Sequence, residues 1–216
     1  MNLQYQSVTV EAGSVTLEGF LNIPEHATAI VIFVHGSGSS RFSPRNQMVA
    51  DRLADSGLAT LLFDLLSEEE EKIDIELGHI RFDIPFLAER VTDTIDWVAH
   101  HPKTRGLKIG LIGSSTGAAA AIVSAVARSE LVKAVVSRGG RPDLAGNALS
   151  KVQAPTLLVV GGRDFPVIEL NEQAFLRLNC QKKMELIPYA THLFEEPGTL
   201  EEAAHLAQSW FIQHLA

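Results

Sequence analysis

The stretch Ile109-Gly110-Leu111-Ile112-Gly113-Ser114-Ser115-Thr116-Gly117, followed by Ala118-Ala119-Ala120-Ala121, joins a short apolar run to an alanine-rich segment through a turn of small residues. A side chain presented at the tip of a tight strand-to-helix turn needs small residues two before and two after it, because larger ones collide with the neighbouring strand and helix. Gly113 and Gly117 meet that need for Ser115, whereas Ser114 lacks glycines at both flanking positions. Ser115 is therefore the candidate nucleophile. The competing reading is a plain glycine-serine connection. The absence of a following Gly-Lys-Ser/Thr argues against a phosphate-binding P-loop.

Outward from this turn the chain alternates two kinds of segment. Short, almost wholly apolar runs occur at Ala29–Val34, Ala59–Phe63, Lys108–Ile112, Val132–Val136, Thr156–Val160 and Met184–Ile187. Such runs, rich in Val, Ile and Leu, fit parallel strands buried on both faces. Between them the spacing predicts helices over Ser43–Ser56, Phe82–His100, Thr116–Arg128, Val167–Asn179 and Thr199–Leu215. Thr199 with Glu202 reads as a capping box. Before the first run, Val8, Val10, Val15 and Leu17 alternate around Ala12-Gly13-Ser14, which predicts an edge β-hairpin. The acidic patch Ser67-Glu68-Glu69-Glu70-Glu71-Lys72 reads as a solvated loop. With Ile73–Ile80 it makes an excursion, residues 65–81, whose position suits a lid. Strands alternating with helices predict an α/β fold with a mostly parallel sheet covered on both faces, and a site at the carboxyl ends of its strands.

Three further motifs fall at those ends. His35-Gly36-Ser37-Gly38-Ser39-Ser40 follows the first run, and its glycines let backbone N–H groups turn toward a site. An acyl-transfer centre needs two such donors where negative charge develops on oxygen. Thr116, directly after the nucleophile, and Ser37 are the candidates. Arg41 stands where the third glycine of a dinucleotide fingerprint would be, so that reading fails. His35 need not be catalytic; a structural role in holding the loop is an equal reading. Gly161-Gly162-Arg163-Asp164 places a carboxylate after one run, and Ala190-Thr191-His192-Leu193-Phe194 a histidine after the last. Taken singly, an Asp in a glycine-rich turn and a lone loop His are commonplace. Together, Ser115, Asp164 and His192 occur in the order nucleophile, acid, base, each just beyond an expected strand.

On these four motifs the chain resembles the α/β-hydrolase superfamily, and within it is similar to the dienelactone-hydrolase-like group, over nearly its whole length. The resemblance implies one α/β-hydrolase domain over residues 1–216, an eight-stranded, mostly parallel sheet with helices on both faces, a Ser/Cys–Asp–His triad, and no metal or organic cofactor. Dienelactone hydrolases proper carry cysteine at the nucleophile position, and serine stands at 115. Cys180 ends an expected helix away from the strand ends and reads as a small buried hydrophobe.

The expected activity is hydrolysis of a small-molecule ester or lactone through an acyl-enzyme on Ser115. Arg41, Arg138 and Arg141, each just after an apolar run or the glycine loop, are candidates to pair with a substrate carboxylate. The alternatives are a non-catalytic small-molecule or partner-binding member of the fold, and an acyltransferase. A net charge of −8 without a Lys/Arg cluster argues against nucleic acid. No apolar run reaches membrane-spanning length, and Met1–Ser7 lacks the features of a signal peptide. With a single cysteine, the expectation is a cytoplasmic protein. His79, His100 and His101 have no metal-ligand spacing, and homodimerisation is left open.

Overall fold

The computed structural model describes residues 5–215. Its eight strands are β1 (Gln6–Ala12), β2 (Val15–Asn22), β3 (Ala29–Val34), β4 (Ala59–Phe63), β5 (Lys108–Ser115), β6 (Val132–Gly140), β7 (Thr156–Gly161) and β8 (Lys182–Ile187). They form one sheet in the order β1-β2-β4-β3-β5-β6-β7-β8. The β1–β2 hairpin is antiparallel, and β2 meets β4 antiparallel; every other neighbouring pair is parallel. Strands β3, β4 and β7 are buried along their whole length, which is why they read as continuous apolar runs.

The helices are α1 (Pro44–Asp55), α2 (Glu68–Leu77), α3 (Ile84–His100), α4 (Thr116–Ala127), α5 (Phe165–Arg177) and α6 (Thr199–Leu215). Two apolar clusters lie on opposite faces of the sheet. One gathers Ile95 of α3, Ile122 of α4 and Ala174 of α5; the other gathers Leu53 of α1 and Phe211 of α6. Phe211 packs so closely on β5 that a Cβ at Gly110 would lie 2.7 Å from its ring. Such contact is the density expected of an interior, and a larger residue at 110 would force the helix off the sheet.

The acidic patch at 67–72 is helical, not a loop. Ser67 accepts the Glu70 N–H through its side chain and the Glu70 carboxylate accepts the Ser67 N–H, a capping box that starts α2. Four glutamates in the first turn also suit the positive end of the helix dipole. The box expected at Thr199 is not formed: its hydroxyl donates to the Glu196 carbonyl, and the Glu202 N–H goes to Gly198. Helix α3 starts at Ile84, two residues later than the spacing suggested, because Asp83 caps it and Pro85 sits in its first turn. Helix α5 is shifted two residues earlier, with Asp164 preceding it. A 3₁₀ segment, Pro142–Ser150, was not legible at all; Gly146 at φ 56° breaks it. Cys180 is half-buried, packed at the edge of one core cluster, and lies just before β8.

Candidate active site

Ser115 is the last residue of β5 and its backbone lies at φ 48°, ψ −126°, a region a non-glycine residue adopts only under constraint. The surroundings impose it. A Cβ at Gly113 would lie 2.4 Å from Ala118 Cα, and one at Gly117 would lie 2.2 Å from the Val34 carbonyl oxygen. A Cβ at Gly36 would meet Ser115 Cβ itself at 2.8 Å. Strand, turn and helix are therefore pressed together around the serine, and only glycine fits at these three positions. The Arg141 N–H donates to the Ser115 carbonyl at 2.9 Å and holds the turn from the neighbouring strand.

The other two members of the expected triad are brought together. His192 Nδ1–H donates to Asp164 Oδ2 at 2.6 Å, across 28 residues of sequence. Asp164 is set at the end of β7, where Gly161 lets the loop carrying His192 pass close: a Cβ there would lie 2.5 Å from the Ala190 carbonyl oxygen. That loop is shaped by two strained residues, Tyr189 at φ 66° and Phe194 at φ 55°. The buried Phe194 ring anchors it, and Gly139 leaves the room. Glu196 accepts the Thr191 N–H, and that bond holds its carboxyl below the usual carboxylate range. With Nδ1 committed to Asp164, the free His192 nitrogen is Nε2. Ser115 and His192 line one cleft of about 620 Å³.

The glycine loop 36–40 forms a wall of this cleft. Ser37 and Thr116 are adjacent, with the Ser37 N–H donating to Thr116 Oγ1 at 3.1 Å. His35 holds the loop's base. Its Nδ1–H donates to the Gly36 carbonyl and its Nε2 accepts the Leu65 N–H at 3.1 Å, while desolvation pushes the imidazole below its ordinary value, toward the neutral form those bonds require. Behind the same loop is a second cavity of about 230 Å³, walled by Glu71, Asp74 and Ile75 of α2 and by Arg81. Residues 65–81 thus cover a cavity adjoining the site.

The three candidate substrate arginines part company. Arg41 is committed to Asp64 by its side chain and its N–H, with its guanidinium over the Phe42 ring. Arg141 makes two 2.8 Å bonds to Asp143, and that pairing raises its pKa further. Neither guanidinium is offered to a ligand. Arg138, at the end of β6, lines the cleft and bonds Asn46 Oδ1 at 2.7 Å and Ser114 Oγ at 2.9 Å. Burial, with a contribution from the charge of Arg45, pushes its pKa down to about 10. Asn46, Ser114 and Arg45 had no signal of their own in the sequence: polar residues at a helix start and a turn are ordinary.

Among the described residues no group of three or more His, Cys, Asp or Glu could hold a metal, and no helix is long and apolar enough to cross a membrane.

Residues 17–215 match the model of the dienelactone hydrolase family. The dienelactone hydrolase of Anabaena variabilis ATCC 29413, known from a crystal structure, is 55% identical, with a TM-score of 0.98 over the whole of both chains. Two Mycobacterium tuberculosis proteins, from strains CDC 1551 and H37Rv, each named "Putative phosphoribosyl transferase", are 53% identical over 99% of this chain. The chain spans about half, 47%, of the length of these curated relatives. Est1E from Butyrivibrio proteoclasticus, 15% identical over 96% of this chain and 98% of its own, shares the fold at a TM-score of 0.79. Eight strands in a mostly parallel sheet, a constrained serine at the end of the fifth, and a family match over nearly the whole length make this chain a member of the dienelactone hydrolase family.

Proposed function

We propose that this hydrolase-family chain cleaves an ester or lactone of a small molecule through an acyl-enzyme on Ser115. The observation that carries the reading is the pairing of a conformationally constrained serine with an Asp164–His192 bond of 2.6 Å on the same cleft. In this reading His192 Nε2 takes the proton of Ser115 Oγ as that oxygen attacks the carbonyl carbon. Asp164 keeps the imidazole in the Nδ1–H tautomer and stabilises the imidazolium. The tetrahedral oxyanion collapses, the alcohol leaves with the proton from His192, and water activated by the same histidine releases the acid.

The N–H groups of Thr116 and Ser37 would stabilise the oxyanion. The Ser37 N–H is engaged with Thr116 Oγ1 in the free protein, so its use requires that hydroxyl to turn aside. A donor of this kind contributes about 10²–10³ in turnover.

The transferase name of the mycobacterial relatives describes proteins twice as long, and we read that activity as belonging to their unmatched half. Labelling with a fluorophosphonate, followed by peptide mapping, tests the proposal. Modification confined to Ser115 and absent in Ser115→Ala is expected, with loss of turnover and an unchanged melting profile. Full ester hydrolysis by Ser115→Ala would refute it.

A further inference from the structure

We propose that the cleft beside Ser115 contains a site for a doubly charged oxyanion, a phosphate monoester group carried by the substrate, centred on Arg138 with Arg45 at its rim. The inference names the substrate class of the site and in that respect rests on the hydrolase reading.

Two arginines in the described chain are more than nine-tenths buried, and they are treated differently. Arg90, 8% exposed, bonds the Glu70 carboxylate at 2.5 Å and the Ala12 carbonyl at 2.9 Å. Arg138, 7% exposed, has only the neutral acceptors of Asn46 and Ser114, both on Nη2. Its Nη1 is buried without a hydrogen-bond partner among the described residues, and no carboxylate there forms an ion pair with it. A buried charge left without an ionic partner is strongly destabilising. A fold that keeps one next to its reactive serine keeps it for an anion that arrives later.

The rest of the cleft has the same sign. In a chain of net charge −8, no Asp or Glu lines it. Arg45 does line it, and its nearest acid is Glu195 at 3.7 Å, a loose contact between two exposed side chains. Helix α1, twelve residues long, starts on the cleft wall with Ser43, Pro44, Arg45 and Asn46, which sets the positive end of its dipole at that wall, with the Asn46 N–H already capped by Ser43 Oγ. Two guanidinium groups and a helix N-terminus exceed what one carboxylate neutralises; they match a phosphate dianion, whose oxygens accept from the fork of an arginine. The cavity behind the glycine loop is the opposite case, since its basic Arg81 is already paired with Asp74.

Calorimetry with inorganic phosphate on wild type and Ser115→Ala tests the site without turnover. Phosphate is expected to bind both, to slow fluorophosphonate labelling of wild type, and to bind at least about tenfold more tightly than acetate at equal ionic strength. Arg138→Gln should weaken phosphate by about tenfold or more, as expected for loss of a hydrogen-bonded charge, and Arg45→Gln by a few-fold. Acetate binding as tightly as phosphate would overturn the assignment in favour of a carboxylate site. Equal phosphate affinity in Arg138→Gln and wild type would reduce it to an adventitious ion only. Should Arg138→Gln fail to fold, Arg45→Gln decides: unchanged affinity overturns the proposal. Absence of Ser115 labelling with phosphate binding intact would instead remove the hydrolase reading and leave the anion site standing.

Discussion

The turn at Ser115 and the segment from α2 to Phe82 lie on the same edge of the sheet, yet they are held by different forces. The turn is fixed by repulsion: Gly36, Gly113 and Gly117 each stand where a single added carbon would overlap a backbone or Cβ atom. Helix α2 is fixed by attraction between charges. Its one buried residue is Asp74, and Ile73, Ile75 and Leu77 are exposed. Asp74 accepts the N–H groups of Ile80 and Arg81 and pairs with the Arg81 guanidinium, while Glu70 reaches Arg90. Steric fixation holds a reacting atom to a fraction of an ångström and is indifferent to pH and salt. Ionic fixation yields to both, so the wall of the neighbouring cavity is the more adjustable part of the site.

Substitutions can break this comparison. The largest expected effect is on the chemistry that the rigid side supports. Asp164→Asn should keep the fold and lower kcat by about 10⁴, because an amide cannot hold His192 in the required tautomer; steady-state kinetics with an activated ester measures it. Next, Gly117→Ala should destabilise by about 3 kcal/mol or more, since its methyl would overlap the Val34 carbonyl, with urea denaturation as the readout. A loss below 1 kcal/mol would mean that the turn is not sterically fixed.

On the ionic side, Asp74→Asn should cost about 1–3 kcal/mol, seen as faster amide exchange in α2 with little change in the sheet. Burial of Asp74 opposes ionisation, but the N–H groups and guanidinium of Arg81 and the Ile80 N–H outweigh it and hold its carboxyl below the ordinary value. A depressed folded-state pKa means that the tie is fully present above the unfolded aspartate pKa and is lost as pH falls through the folded one. Exchange protection of α2 should therefore weaken in acid before that of β5. The smallest effect is expected for Ile75→Ala, at 71% exposed: within about 0.5 kcal/mol in stability. A larger loss would show that α2 is packed on its apolar side after all.

What could be foreseen follows the same division. Ser115, Asp164 and His192 each leave a local mark, a glycine pair or a polar residue straight after an apolar run, because the constraint on each is steric and acts on its chain neighbours. The acidic helix left a misleading one. A run of glutamates has no apolar period, so it resembles solvated loop, and what makes it helical is a capping box plus a partner on α3, Arg90, twenty residues away from Glu70. Arg41, Arg138 and Arg141 looked alike as cations after apolar segments, and only the tertiary structure separates the two that meet carboxylates from the one that meets neutral acceptors.

By itself, then, the chain's order of residues determined the α/β layering, the turn that presents Ser115, and the succession of Ser115, Asp164 and His192 just beyond their strands, since apolar period and glycine placement are properties of adjacent residues. The tertiary structure alone decided which charges are neutralised. Arg138 meets Asn46 across 92 residues and Ser114 across 24, and whether a carboxylate waits at such a meeting depends on how strands and helices stack. Coulomb energy is set by distance in space and by exclusion of water, and neither is a property of residues adjacent along the chain.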